Sequence, residues 1–196
     1  MGEASGTGPR ISPTRTHATW KPGVSDDPLP FFRCRACAST FVALDGATGP
    51  RVDRSLRRAE AALPYAVNEF APSCCGEPME RLEPAKEGGQ GSFELLCKVV
   101  GGFDANALQV RWKSEDGRDP RWIALKTFTG MQVAYVLPGK RPPVTFALAD
   151  EDAYAYCDED PCRVCTFRCK SGFQLYAYVD GLGLLACPVH DRALTR

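Results

Sequence analysis

The sequence predicts a mainly β protein, in which a small cysteine-rich module precedes an antiparallel β domain that ends in a second cysteine-rich hairpin. Three observations support this fold class. The chain has 196 residues, of which 44% are hydrophobic, enough for the buried core of one large or two small domains. Short runs rich in β-branched and aromatic residues alternate with turn signals that contain glycine. Ten cysteines are present, and several of them stand in close pairs.

The N-terminal third of the chain divides into an arm and a first module. Residues 1–29 are rich in Gly, Pro, Ser and Thr and have no apolar periodicity, which predicts a flexible arm. Residues 30–83 form the module. Within it the spacing of apolar residues predicts a helix that begins near Asp53, a possible N-cap, and ends at Pro64. Its predicted strands cover residues 31–34, 40–44 and 79–82.

The β domain follows a predicted linker. Residues 83–91 lack bulky apolar side chains, as linkers do, and the second domain then covers residues 92–196. Its regularly spaced β-rich runs are typical of an antiparallel sandwich or barrel, and the turn signal Asp180-Gly181 predicts a terminal hairpin. The predicted strands cover residues 93–100, 107–112, 122–128, 132–137, 144–148, 173–179 and 183–186.

Charge and hydropathy exclude some function classes and indicate a compartment. With 24 basic and 24 acidic side chains, the chain has no overall field to attract nucleic acid or an anionic membrane. No apolar run approaches the roughly 20 residues that span a bilayer, and the N-terminus lacks the apolar core of a signal peptide. We therefore expect free thiols in the cytoplasm or another reducing compartment. Targeting to an organelle is the alternative, because the N-terminus carries the scattered Arg, Ser and Thr of a transit peptide. Glu3, Asp26 and Asp27 count against this alternative, since transit peptides have few acidic residues.

Four cysteines predict a first metal site. Cys34 and Cys37 form a C-x-x-C pair, and Cys74 and Cys75 follow after 36 intervening residues. Four thiolates suit a tetrahedral ion, and both zinc and iron accept such a set. Neighbouring side chains normally diverge, so Gly76 would help the backbone turn both sulfurs inward. The spacing does not choose between the two metals.

The second cysteine pair lies in a motif that resembles a known family. The motif is similar to the second ligand motif of desulforedoxin and of the N-terminal domain of desulfoferrodoxin, and here it reads Cys74-Cys75-Gly76-Glu77-Pro78-Met79. In that family this motif and an upstream C-x-x-C hold one iron. The resemblance therefore implies a non-haem iron ligated by Cys34, Cys37, Cys74 and Cys75. The family has a much shorter segment between the pairs, so the helix predicted here is an insertion, compatible with a docking surface or a changed metal.

The second domain resembles the superoxide reductase domain of desulfoferrodoxin, which is immunoglobulin-like. The similarity covers residues 93 to about 157 and rests on short motifs, namely Gly101-Gly102, Arg121-Trp122-Ile123, Leu137-Pro138-Gly139, Phe146 and Tyr156-Cys157. The family's catalytic iron takes four imidazoles and one thiolate, the latter matched by Cys157. The whole chain has two histidines, His17 and His190, and Arg121 stands where a ligand histidine is implied. Because arginine stays protonated and cannot ligate a metal, we expect no superoxide reductase activity of the family type.

A second cysteine cluster predicts a zinc ribbon near the C-terminus. A C-x-x-C pair is followed, after 21 intervening residues, by a C-x-x-H pair, and the proposed ligands are Cys162, Cys165, Cys187 and His190. A rival set places four thiolates within 13 positions, at Cys157, Cys162, Cys165 and Cys169. Cys97 stands alone and is expected to be an ordinary half-buried thiol.

Two functions follow from these sites. The first is one-electron transport through a tetrathiolate iron, with a protein redox partner. The second is a structural role with zinc at both sites, as a subunit or interaction module of a larger assembly. The resemblance to desulforedoxin also implies a homodimer.

Overall fold

The computed structural model describes residues 23–24, 29–43, 52–53, 72–85, 93–101, 106–127, 129–153, 170 and 172–189. Within these residues the protein is mainly β, as predicted, with fourteen strands and one helix of four residues, α1 (Asp150–Ala153). Every pair of strands is antiparallel. Among the described residues, no helix has both the length and the apolar character needed to cross a membrane.

The described residues that precede the β domain form three small sheets, the first of which includes residues 23–24 of the predicted arm. The first pairs β1 (Gly23–Val24) with β4 (Val52–Asp53). The second has the order β3-β2-β7 and consists of β2 (Phe31–Arg33), β3 (Thr40–Val42) and β7 (Glu80–Leu82). The third is a hairpin of β5 (Ser73–Cys74) and β6 (Glu77–Pro78).

The β domain contains two larger sheets. One has the order β12-β9-β8 and consists of β8 (Phe93–Val100), β9 (Ala107–Ser114) and β12 (Val144–Ala147). The other has the order β11-β10-β13-β14 and consists of β10 (Pro120–Lys126), β11 (Met131–Tyr135), β13 (Gln174–Val179) and β14 (Gly183–Pro188).

The main hydrophobic core lies between these two sheets. Leu108 and Val110 of β9 pack in one buried cluster with Ile123 and Leu125 of β10 and with Leu175 of β13. On β9 and β12 the buried residues alternate with exposed or partly exposed ones, the pattern of a sheet with one face on a core. The β domain is therefore an antiparallel sandwich.

The four-stranded sheet is also covered on its second face. Every residue of β10 from Trp122 to Lys126 is buried, which is typical of a strand between two packed layers. The covering residues come from the N-terminal module. Phe31 stacks on Trp122 with ring centroids 5.1 Å apart and packs on Tyr176 at 5.2 Å. The module and the sandwich thus share a buried aromatic interface.

Most predicted strands are found with ends shifted by a few residues, but two predicted boundaries differ. Leu29, assigned to the flexible arm, is buried, and its amide donates a hydrogen bond to the Tyr176 hydroxyl at 2.9 Å. The predicted linker is partly paired, because the Ala85 amide donates to the Leu184 carbonyl at 2.9 Å and Ala85 bridges Leu185. Of the predicted helix, Asp53 lies in β4 and the rest falls outside the described residues.

We predict that Tyr176→Phe destabilises the protein through Leu29. The buried Leu29 amide would lose its acceptor, and leaving such a group unsatisfied costs about 1–3 kcal/mol. Urea unfolding measures this loss. Tyr135→Phe is the matched control, because Tyr135 is 78% exposed and removing its hydroxyl should change stability by less than about 0.5 kcal/mol. Equal stability of the two variants would contradict the structural role of the Tyr176 hydroxyl.

Candidate metal centre

The first pair of cysteines lies on a tight turn after β2. The Cys34 amide donates to the Ser39 carbonyl at 2.9 Å, and the Ala38 amide donates back to the Cys34 carbonyl at 3.0 Å. Ala38 has a φ of +62°, and the Arg33 guanidinium donates to its carbonyl at 2.8 Å. These bonds close the chain between Cys34 and Cys37, so both sulfurs lie at one end of the β3-β2-β7 sheet.

The second pair of cysteines forms part of a two-residue hairpin loop. Cys74 ends β5 and pairs with Glu77 of β6, so Cys75 and Gly76 make the loop. Their φ angles are +51° and +83°, and a type I′ turn requires positive φ at both positions. Glycine adopts this left-handed conformation without the steric cost that a side chain would add, which suits Gly76 to the second position of the turn. This turn explains how adjacent cysteines bring their sulfurs within 3.9 Å of each other.

The two turns bring four sulfurs together. The Sγ atoms of Cys34, Cys37, Cys74 and Cys75 all lie within 4.8 Å of one another, and Cys37 and Cys74 are 3.6 Å apart. Metal–sulfur bonds of about 2.3 Å in a tetrahedron place sulfurs about 3.8 Å apart. A disulfide would need about 2.05 Å, and the four cysteines are free thiols. The donor set and its size therefore fit one tetrahedral ion.

The cluster has a buried side and an open side. Cys34 is buried with Phe32 and Met79 in a small apolar cluster, whereas Cys37 and Cys75 are exposed. A group held by the four sulfurs would be anchored on apolar side chains and accessible from solvent on the other side.

Hydrogen bonds within the cluster shift the pKa values of its thiols in opposite directions. Contacts of Cys37 with the side chain and backbone of Ser39, 3.1 Å between Sγ and Oγ, lower the pKa of the Cys37 thiol to about 6. Hydrogen bonds with Cys37 and Cys34 raise the pKa of Cys74 to about 12. The pKa of Cys75 is also raised, mainly by its hydrogen bond with Cys37. Near neutral pH the free cluster thus has a thiolate at Cys37 and protons on Cys74 and Cys75.

Two side chains near the cluster were not identified from the sequence. Ser39 contacts the Cys37 sulfur, and its position two residues after that cysteine is the available signal. Arg33 supports the turn and also places its guanidinium 4.4 Å from the centroid of the Tyr178 ring, a cation–π contact. That contact spans 145 positions of sequence and follows from the packing of the module on the sandwich, which no local pattern encodes.

The second predicted metal site falls mostly outside the described residues. Cys187 lies on β14, and its Sγ is 3.4 Å from the Pro188 carbonyl oxygen. The other proposed ribbon ligands and the rival set are not among the described residues, namely Cys157, Cys162, Cys165, Cys169 and His190. This site stays a prediction.

Arg121 does not face a buried site. Its guanidinium Nε donates to Asp180 Oδ2 at 2.6 Å, and both side chains are largely exposed. The position at which the resemblance implied a histidine ligand therefore carries a surface ion pair. Across the described residues, the four-cysteine cluster is the one group of three or more His, Cys, Asp or Glu with metal-binding geometry.

Comparison with known proteins gives a distant similarity of fold to solved structures. No family model matches the chain, and no curated protein matches it by sequence. Among solved structures, a superoxide reductase from Treponema pallidum matches with 18% identity and a TM-score of 0.48. The match covers 82% of this chain and 97% of that one. At this identity the similarity is a distant one of fold, and it assigns no ligand and no activity to this chain.

We predict that Gly76→Ala weakens metal binding through the backbone alone. No atom lies within 4 Å of the added Cβ, so the cost comes from the φ of +83° and should be about 1–2 kcal/mol. Zinc affinity, measured by competition with a chromophoric chelator, should fall about 5- to 30-fold. Gly130→Ala is the control, because it has equal space and lies outside the left-handed range. A similar loss in both variants would contradict the proposed turn.

We predict that zinc affinity rises steeply with pH. Because raised pKa values keep Cys74 and Cys75 protonated near neutral pH, an ion must displace both protons to bind. The release of at least two protons gives at least about a 100-fold gain in affinity per pH unit between pH 6 and 8. The same chelator competition, repeated across this range, measures the slope. An affinity independent of pH would show that these thiols are not ligands.

Proposed function

We propose that the protein binds one metal ion through four cysteines and, with iron bound, transfers single electrons to a protein partner. The observation that carries this proposal is the convergence of four sulfurs from two separate turns within 4.8 Å. The proposed ligands are Cys34, Cys37, Cys74 and Cys75. Superoxide reductase activity of the family type is not proposed, since the chain has two histidines and that site needs four.

Exposure of the cluster supports electron transfer. A bound iron would supply a one-electron couple, tuned by hydrogen bonds to sulfur and by solvent access. Here Cys37 and Cys75 are at the surface, so a partner could approach two ligands directly. Buried Cys34 holds the cluster on the module. Ser39, in contact with the Cys37 sulfur, is the side chain placed to tune the potential.

The surroundings of the cluster indicate a small contact area for this partner. Arg35, next to Cys34, forms an exposed ion pair with Glu80 at 3.0 Å, so these two charges compensate each other. Phe41, which pairs with Phe32 across β2 and β3, is 52% exposed and offers an apolar surface on the same small sheet. Electron-transfer encounters are small interfaces, below about 1,200 Å², and a small rim of mixed character suits such a transient contact.

A structural zinc role is the second candidate, and the size of the module core favours it. Within the described part of the module, the apolar cluster around the cysteines has three buried members, Phe32, Cys34 and Met79. Such a core contributes little stability, and small domains of this kind gain it from a structural metal. Zinc at the cluster, and at the predicted ribbon of Cys162, Cys165, Cys187 and His190, would then stabilise a module that docks on a larger assembly.

Metal analysis and visible absorption of protein purified without added metal test both functions. Red protein with about one iron per chain supports electron transfer. Colourless protein with about two zinc ions per chain supports the structural role, with one ion in each closed site. Cys75→Ser should remove the metal of the first site. Cys97→Ser, on β8 of the sandwich, is the control that should keep it. Absence of metal from the purified protein, or its retention by Cys75→Ser, would contradict the proposed site.

A further inference from the structure

The side chain of Arg33 connects the cysteine module to the sandwich. Arg33 ends β2 and directly precedes Cys34. Because side chains two positions apart on a strand share a face, Arg33 lies on the same face as Phe31, which packs on Trp122. The Arg33 guanidinium lies 4.4 Å from the centroid of the Tyr178 ring. Since Tyr178 belongs to β13, a residue next to a proposed metal ligand contacts the four-stranded sheet.

The same guanidinium supports the turn that carries Cys34 and Cys37. Its Nη1 donates to the Ala38 carbonyl at 2.8 Å and to Thr40 Oγ1 at 3.2 Å. Ala38 has a φ of +62°, in the left-handed region that residues with a Cβ rarely adopt. Such a conformation persists only where the surrounding structure holds it. The bond from the guanidinium is therefore one of the contacts that keep the turn in this shape.

The conformation of Ala38 determines the position of a sulfur. The Ala38 amide donates to the Cys34 carbonyl at 3.0 Å, and the next residue, Ser39, accepts from the Cys34 amide at 2.9 Å. Ser39 Oγ is also 3.1 Å from Cys37 Sγ. A change of φ at Ala38 would displace Ser39 and break these contacts. The 3.6 Å distance between the sulfurs of Cys37 and Cys74 thus depends on this turn.

Tyr178 restricts the guanidinium before it reaches the turn. Its ring stacks on Trp122 with ring centroids 6.0 Å apart and planes 20° from parallel, and Trp122 is buried. The face of an aromatic ring attracts a guanidinium, which packs flat on it. An arginine side chain has many rotamers, and ordering it costs entropy. A ring that already holds the guanidinium lowers this cost for the bonds to Ala38 and Thr40.

We propose that Tyr178 is a positioning residue for the four-cysteine site and that it acts through Arg33. The inference rests on the proposed metal binding, to which it adds a residue of the sandwich. The ring keeps the guanidinium on the Ala38 carbonyl, and the guanidinium keeps the turn in the conformation that binds an ion. Apparent affinity falls in proportion to the fraction of molecules in the binding conformation. Tyr178 thereby contributes to metal affinity, although all four sulfurs come from the module.

Zinc affinity of the full-length protein, measured by competition with a chromophoric chelator, tests this role. Tyr178→Leu keeps an apolar side chain beside Trp122 but removes the aromatic face, so affinity should fall about 3- to 10-fold. Tyr178→Phe keeps the face and should bind zinc as the wild type does. Tyr135→Leu is the matched control and should also bind normally. Tyr135 pairs with Trp122 from the opposite side to Tyr178 and is 78% exposed. Equal affinity of Tyr178→Leu and the wild type would overturn the proposal.

A double-variant cycle shows whether Tyr178 acts through Arg33. Arg33→Met removes both hydrogen bonds and the cation, so zinc affinity should fall about 10- to 100-fold. If the ring acts through the guanidinium, adding Tyr178→Leu to Arg33→Met should cause no further loss. Losses that multiply in the double variant would show that the ring acts independently of Arg33, as a general effect on the stability of the sheet would, and would overturn the proposal.

Hydrogen exchange of the metal-free protein separates this inference from the proposed function. The amides of Cys34 and Ala38 close the turn, and in Tyr178→Leu they should exchange about 3- to 10-fold faster than in the wild type. Both should keep wild-type rates in Tyr178→Phe. Faster exchange in a protein that binds no zinc would contradict the proposed function and support the role of Tyr178 in the turn. Unchanged exchange in Tyr178→Leu, in a protein that binds zinc, would overturn the positioning role alone.

Discussion

The packing of Phe31 against Trp122 and Tyr176 fixes the cysteine cluster relative to the rest of the protein. Successive side chains of a strand point to opposite faces, so Phe31 and Phe32 of β2 enter different cores. Phe31 joins the aromatic cluster on the four-stranded sheet, and Phe32 joins the cluster that contains Cys34. One short strand therefore connects the sandwich to the four-cysteine cluster, and a shift of its register by one residue would exchange the two contacts.

This arrangement explains what could be predicted from sequence. Runs rich in β-branched and aromatic residues between turn signals located the strands of the sandwich, and residues 93–100 match β8 at both ends. Cys74, Cys75 and Gly76 predicted a turn that brings both sulfurs inward, and the structure forms this turn as the loop of a hairpin. Both signals are local: the residue types of a strand and of a turn appear within a few positions of sequence.

The features that were not predicted depend on contacts between distant segments. Nothing near Leu29 indicates that its amide will meet the Tyr176 hydroxyl, 147 positions later. The continuous burial of β10 is compatible from sequence with any fully buried strand, and the second layer that causes it comes from the N-terminal module. Ala85 looked like part of a linker because small residues give no packing signal, yet its backbone pairs with β14. In each case the local sequence is compatible with several structures, and contacts between distant segments determine which one forms.

The two cores differ in size, and this difference bears on how metal binding and folding are coupled. The sandwich has a large apolar core of its own, with Leu108, Ile123 and Leu175 fully buried. Among the residues that the structure describes, the cluster beneath the cysteines has three buried members, and so small a core lowers the free energy of local opening unless the sulfurs are held together. Because an ion would bind the assembled cluster and not its open form, its binding free energy would add to the stability of the module. The aromatic interface at Phe31 belongs to a separate buried cluster, so local opening of the cysteine turns would leave the module packed on the sheet.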